Sequence, residues 1–226
     1  MAVGEKTEWY DLDAFRRAPL AKDPFPYAIV PHFIPPEAMK KIDRDFPRIA
    51  RLGSFPLPSL EYGSDFGAMI AALRAPAFAA AVEEKFGIDL KGRPTMVTVR
   101  GTSGTRDGHI HTDSVTKLIT VLIYLNSKWE SGGGRLRLLR SATDLNAIIA
   151  EVPPDEGTLL IFKNAPNAWH GYEPFEGPRR VIQLNWVTKN SVVVMEQTRH
   201  RVSAAIKRIG AALSARPSRD APAPGG

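Results

Sequence analysis

Six short runs crowd the stretch from Arg93 to Thr188: PTMVTV, KLITVLIYL, RLRLL, AIIAEV, TLLIF and VIQLNWV. Each is rich in β-branched and large apolar residues, and loops bearing Gly, Pro, Asn and Asp separate them. No helix fits between most successive runs, and a parallel pairing would need one. A parallel α/β sheet is therefore disfavoured. The expected core is a double-sheet β-sandwich or jelly roll.

The preceding third reads as helical. Pro35-Pro36 ahead of EAMKKIDRDF opens a helix in the way proline at a first turn does. Ser64-Asp65 precedes FGAMIAAL, and Pro76 begins AFAAAVEEKF, which stops at Gly87. Beyond Thr188, Val202, Ile206, Ile209 and Leu213 again follow helical spacing. The expected class is thus α+β with a mainly β core. Residues 1–215 make one domain: a helical part over about 1–92, the jelly roll over about 93–188 and a C-terminal helix over about 197–214. Residues 216–226, chiefly PSRDAPAPGG, read as a disordered tail by composition.

Charge and residue usage narrow the function classes. The chain has no cysteine, which removes disulfides, thiolate metal sites and cysteine nucleophiles, and fits a reducing compartment. Its first residues, MAVGEKTEWYDLDAF, lack the apolar stretch of a secretory signal. The longest strongly apolar run, Leu118 to Leu125, is too short to cross a bilayer. A cytoplasmic protein without membrane contact is expected. Of the net charge of +6, +5 belongs to the segment from Lys189 onward. The body is nearly neutral, so no nucleic-acid partner is expected. The terminal helix packs on the body or against a second copy, giving a monomer or a homodimer.

Within the β core, GHIHTDS (Gly108 to Ser114) sets two of five histidines one residue apart and follows them with an aspartate. In extended backbone His109, His111 and Asp113 share a face. His170, in NAWHGYEP, lies between the strong strands GTLLIF and RRVIQLNW, where it can meet His111 across a sandwich. His32 and His200 have no such placement. Two imidazoles and one carboxylate on one side of a metal leave the remaining positions open, which suits non-haem Fe(II). The triplet HxD is weak evidence by itself, and a solvated loop would satisfy it equally.

A second feature joins it. Arg180 opens the strand VIQLNWV, and strand alternation puts it on the apolar face of Ile182, Leu184 and Trp186. Read as inward, that face buries the guanidinium, and a buried guanidinium needs an anion. A planar fork of donors grips a carboxylate through two parallel hydrogen bonds. An ordinary surface arginine is the alternative, with Arg179 beside it.

Taken in order, these residues resemble the Fe(II)- and 2-oxoglutarate-dependent dioxygenases, and within them the prolyl 4-hydroxylase-like group, over roughly Arg93 to Thr188. By resemblance the fold is a double-stranded β-helix. His111 and Asp113 match the HxD ligand pair, His170 the distal histidine, and Arg180 the residue that holds the far carboxylate of 2-oxoglutarate. IYLN followed by Lys128-Trp129 is similar to the tyrosine-bearing strand of the hypoxia-sensing prolyl hydroxylases, which assigns Tyr124 to the cosubstrate. GGRLRLL resembles the GG-x-L strand, placing Leu136 along the cosubstrate pocket, and Trp186 matches a tryptophan of the same enzymes. Two departures stand out. Arg100 and Gly101 occupy the stretch where those enzymes carry a further tyrosine, and no serine follows two residues after Arg180.

The resemblance implies Fe(II), 2-oxoglutarate and O2, with ascorbate as an accessory reductant. It implies hydroxylation of a prolyl, other peptidyl or small-molecule substrate, with release of succinate and CO2. The rivals are a cupin, whose HxH pair His109-Ile110-His111 mimics but whose following glutamate is missing from Thr112 to Thr116, and a non-catalytic jelly-roll binding module.

Overall fold

The computed structural model describes residues 7–191 and residue 193. Four helices and nine strands follow in the order α1 (Leu12–Arg17), β1 (Tyr27–Val30), α2 (Pro36–Asp45), β2 (Phe55–Pro56), α3 (Ser64–Leu73), α4 (Pro76–Phe86), β3 (Thr95–Ser103), β4 (Lys117–Tyr124), β5 (Leu136–Leu139), β6 (Ile148–Val152), β7 (Leu159–Lys163), β8 (Trp169–Gly171) and β9 (Gly177–Val187). The six runs read as strands are β3 to β7 and β9. The region read as helical also supplies β1 and β2. The C-terminal helix expected over 197–214 lies outside the described residues.

Local chemistry explains the helix boundaries. Pro36 and Pro76 stand in the first turns of α2 and α4, where a missing N–H costs nothing. Asp11 caps α1 by accepting the Ala14 amide at 2.7 Å. Gly87 ends α4 in the left-handed conformation, φ 58°, which glycine adopts without a Cβ clash.

The strands form two antiparallel sheets. The larger has the order β1-β7-β4-β9-β3-β2, and the smaller β6-β5-β8. Every named pairing is antiparallel. The large sheet is covered on both faces. One face carries Val97, Val99, Ile119, Val121, Ile123, Ile182, Leu184 and Trp186 against the helical layer of Phe66, Met69, Leu73, Phe78 and Val82. The other carries Tyr124, Leu160, Phe162 and Val181 against Leu136, Leu138 and Val152 of the small sheet. Each large apolar side chain so buried contributes about 1.5–3 kcal/mol. Because period-2 alternation sorts residues between two buried layers, β4 and β9 read as nearly continuous apolar runs. The functional residues sit in the second layer, between the sheets. Among the described residues no single helix is long and apolar enough to cross a membrane.

Candidate active site

His111 and His170 are brought together by backbone pairing. The two residues exchange both N–H···O=C bonds at 3.0 Å, extending the small sheet past β8. Gly108 and Gly171 permit this approach. A Cβ on Gly108, φ +98°, would lie 2.3 Å from the Tyr172 carbonyl, and one on Gly171 would lie 2.8 Å from the Gly108 carbonyl. The two imidazole rings are 4.3 Å apart between centroids. Each uses Nδ1 towards a backbone carbonyl two residues upstream, His111 to His109 at 2.9 Å and His170 to Ala168 at 3.0 Å. A carbonyl can only accept, so Nδ1 carries the hydrogen and both Nε2 lone pairs are left for a ligand. His109 thus takes part through its carbonyl; its side chain is exposed.

Asp113 completes the set. One ligand atom from each of His111, Asp113 and His170 lies within 4.8 Å of the others. The Asp113 carboxylate accepts from Lys117 Nζ at 2.5 Å and from the Thr120 hydroxyl, and Thr120 in turn accepts from Asn185 Nδ2 at 2.7 Å. Burial pushes the Asp113 carboxyl up, but the charges of Lys117 and His170 and the two hydrogen bonds outweigh it, so it stays ionised below the ordinary carboxylate range. Burial depresses His170 to about 4, with Asp113 opposing and His111 adding to the fall. Two neutral imidazoles and one carboxylate are the donor chemistry that a divalent first-row metal takes.

A pH dependence follows for the metal-free protein. Unfolded histidine binds a proton near 6.5, and folded His170 binds one only near 4. The unfolded state therefore holds the extra proton between these values. The stability contributed by neutral His170 is complete above pH 6.5 and is lost on going down to pH 4, on the order of 3 kcal/mol. Thermal unfolding in a chelator at pH 7, 5.5 and 4.5 should show a falling midpoint. A midpoint unchanged by His170→Phe across that range would place the ring in water.

Beyond the triad the cavity continues, about 170 Å³ in all, towards Tyr124, Leu136, Tyr172, Arg179 and Val181. Arg179 is only 3% exposed. Its Nε donates to the Gly134 carbonyl at 2.9 Å and its guanidinium lies 4.2 Å from the Tyr172 ring centroid, while Nη2 has no hydrogen-bond partner among the described residues. The Tyr124 hydroxyl, fully buried, also lacks a hydrogen-bond partner of good geometry among the described residues, with the Arg179 guanidinium its main polar influence. Burial pushes that phenol up to about 12, Arg179 opposing, so it remains a donor at any working pH. Two unsatisfied buried donors at one end of a cavity, with a metal-type donor set at the other, fit a molecule carrying a carboxylate at its far end.

Arg180 is not part of this cavity. It points away, ion-pairs with Asp43, lies 5.0 Å from the Phe46 ring and keeps 38% of its side chain exposed. Trp186 likewise faces the helices, 6.0 Å from Phe78. Both share a face with Ile182 and Leu184, as alternation requires, but that face packs on the helical layer. The expectation that Arg180 faces the cavity is corrected: Arg179, one residue earlier, lines it. A legible signal existed. On β9 the parity of Arg179 also carries Gln183 and Asn185, and on β4 Thr120 and Tyr124 share one side, so polar residues recur only on the cavity face.

Residues 100–188 match the family model of the 2OG-Fe(II) oxygenase superfamily. That span covers the strands β4 to β9, the end of β3 and all three residues of the triad. No curated protein matches it in sequence. Among solved structures it resembles a prolyl-4-hydroxylase from Pseudomonas putida at 15% identity and TM-score 0.52, covering 78% of this chain and 97% of that one. A prolyl 4-hydroxylase from Phytophthora capsici matches at 15% identity and TM-score 0.53, over 85% and 70% of the two chains. The viral collagen prolyl hydroxylase of Paramecium Bursaria Chlorella virus-1, in its 2OG complex, matches at 14% identity and TM-score 0.51, over 72% and 96%. These likenesses are of fold. The chain shares their fold, and the family match together with the His-Asp-His set implies Fe(II) and 2-oxoglutarate.

Proposed function

We propose that the chain is an oxygenase that hydroxylates a peptidyl or small-molecule substrate, with 2-oxoglutarate converted to succinate and CO2. The observation that carries the reading is the pair of unpartnered buried donors, Arg179 Nη2 and Tyr124 OH, in the cavity that also holds the triad. His111, Asp113 and His170 would hold Fe(II). Together with 2-oxoglutarate and dioxygen, that metal would supply the oxidation of a substrate C–H bond.

The chain's own residues orient and enclose. Arg179 and Tyr124 would bind the far carboxylate of the cosubstrate, and Leu136, Val181 and Tyr172 wall off water around it. Thr120, itself held by Asn185, fixes the Asp113 carboxylate so that its plane is set before metal arrives. A cupin-type metal site would leave Arg179 and Tyr124 without a task.

Anaerobic addition of Fe(II) and 2-oxoglutarate should produce the weak visible charge-transfer band of the ternary complex. Either component alone should not produce it. Protein that binds Fe(II) but shows no band with 2-oxoglutarate would remove the proposed chemistry.

A further inference from the structure

Three cations line the cavity: Lys117, Arg179 and Arg100. Lys117 is engaged by Asp113, and Arg179 stands with Tyr124 at the cosubstrate end. Arg100 has neither task. It sits on β3, in one row across the large sheet with Val181 of β9 and Tyr124 of β4. At the usual strand spacing its Cα is roughly 10 Å from that of Tyr124. A 2-oxoglutarate with one carboxylate on Arg179 and the other at the metal has none left for Arg100.

Arg100 is also reachable and incompletely used. Nη1 pairs with Asp107 at 2.6 Å and lies 3.5 Å from Ser103 Oγ, and Nε donates to Ser54 Oγ at 3.3 Å. Nη2 has no acceptor among the described residues, and 18% of the side chain is exposed. The loop before β2 runs along this end of β3, where the Ile49 carbonyl accepts from Thr102 Oγ1 at 3.4 Å. The two neighbouring segments, 47–55 and 100–108, carry Arg48, Arg51, Arg100 and Arg106 against Asp107 alone. Such a rim raises the local concentration of anions.

We infer that the primary substrate carries a free carboxylate, bound by Arg100 at the β3 side of the cavity. The inference rests on the oxygenase reading and adds the chemical class of substrate. Asp107 acts as a stand-in that holds the guanidinium until the substrate's carboxylate shares it. A small carboxylic acid and an acidic side chain of a peptide present the same group.

The test uses the anaerobic protein–Fe(II)–2-oxoglutarate complex, titrated with matched pairs: amino acids against their amides, benzoate against benzamide, and Glu- or Asp-containing tripeptides against their Gln or Asn counterparts. Perturbation of the visible band reports binding. The acid of at least one pair should bind tenfold or more tightly than its amide, and whether it is a free acid or a peptide separates the two sources. In Arg100→Gln that preference should vanish while the Kd for 2-oxoglutarate stays within twofold. Arg100→Lys should restore part of it, and Asp107→Asn should tighten the acid several-fold. If no acid outbinds its amide, or if Arg100→Gln weakens 2-oxoglutarate instead, the inference falls. Absence of the band in the wild-type protein would instead defeat the oxygenase reading itself.

Discussion

Asp113→Asn is expected to lower Fe(II) affinity by roughly a thousandfold or more, measured by anaerobic equilibrium titration. Two effects combine. The triad loses its anionic ligand, and ligand loss should exceed the 10–100-fold cost typical of disturbing a ligand's supporting partners. The cavity also holds Arg100, Lys117 and Arg179, and among the described residues Asp113 is its one lining carboxylate, so the variant asks a dication to enter a site that has lost its own negative charge. His170→Ala should act through the first effect alone and cost less. Lys117→Met should move the other way, tightening Fe(II) several-fold, because the ammonium 2.5 Å from Asp113 competes with the metal for that carboxylate. Binding by Asp113→Asn within tenfold of wild type would deny the carboxylate its place in the metal site.

The second large effect separates two adjacent arginines. Arg179→Met should raise the Kd for 2-oxoglutarate by a factor of about 100 to 1,000, corresponding to the roughly 3–4 kcal/mol of a desolvated, charge-assisted carboxylate contact. Arg180→Met should change it by less than twofold, since that side chain spends its charge on Asp43 at the surface. Tyr124→Phe should fall between, near tenfold, for one neutral donor. The metal-free Arg179→Met protein should be no less stable than wild type, because the native guanidinium is buried with no ion pair among the described residues. Equal losses at positions 179 and 180, or a loss at 180 alone, would overturn the assignment.

How much of this was legible depends on which physical signal each element leaves in the chain. The helices α2, α3 and α4 announce themselves through proline or serine at the start and, for α4, glycine at the end, which are local rules. The strands β3 to β7 and β9 are visible as apolar runs. Strand β8, only Trp169–Gly171, carries His170 but has no run to show; it is extended because β5 and the backbone of His111 pair with it. Strand β1 is equally quiet, a short edge partner of β7. At the site, the imidazoles and the aspartate could be named from residue type and spacing. Lys117, Thr120, Asn185, Tyr172 and Arg100 could not, since each matters through a neighbour distant in sequence.

The six longer strands, the antiparallel core and the polar residues able to hold a metal are written in composition and period, because they follow from which side chains avoid water and which carry donor atoms. Which face of β9 looks into the cavity is marked there only by the polar Gln183 and Asn185 that share the parity of Arg179. Alternation fixes only that Arg179 and Arg180 point in opposite directions. In a sheet buried on both sides, apolarity cannot tell the two faces apart. The packing of α3 and α4 on one side and of the small sheet on the other made that choice. It placed the guanidinium of residue 179, and not that of 180, beside Tyr124.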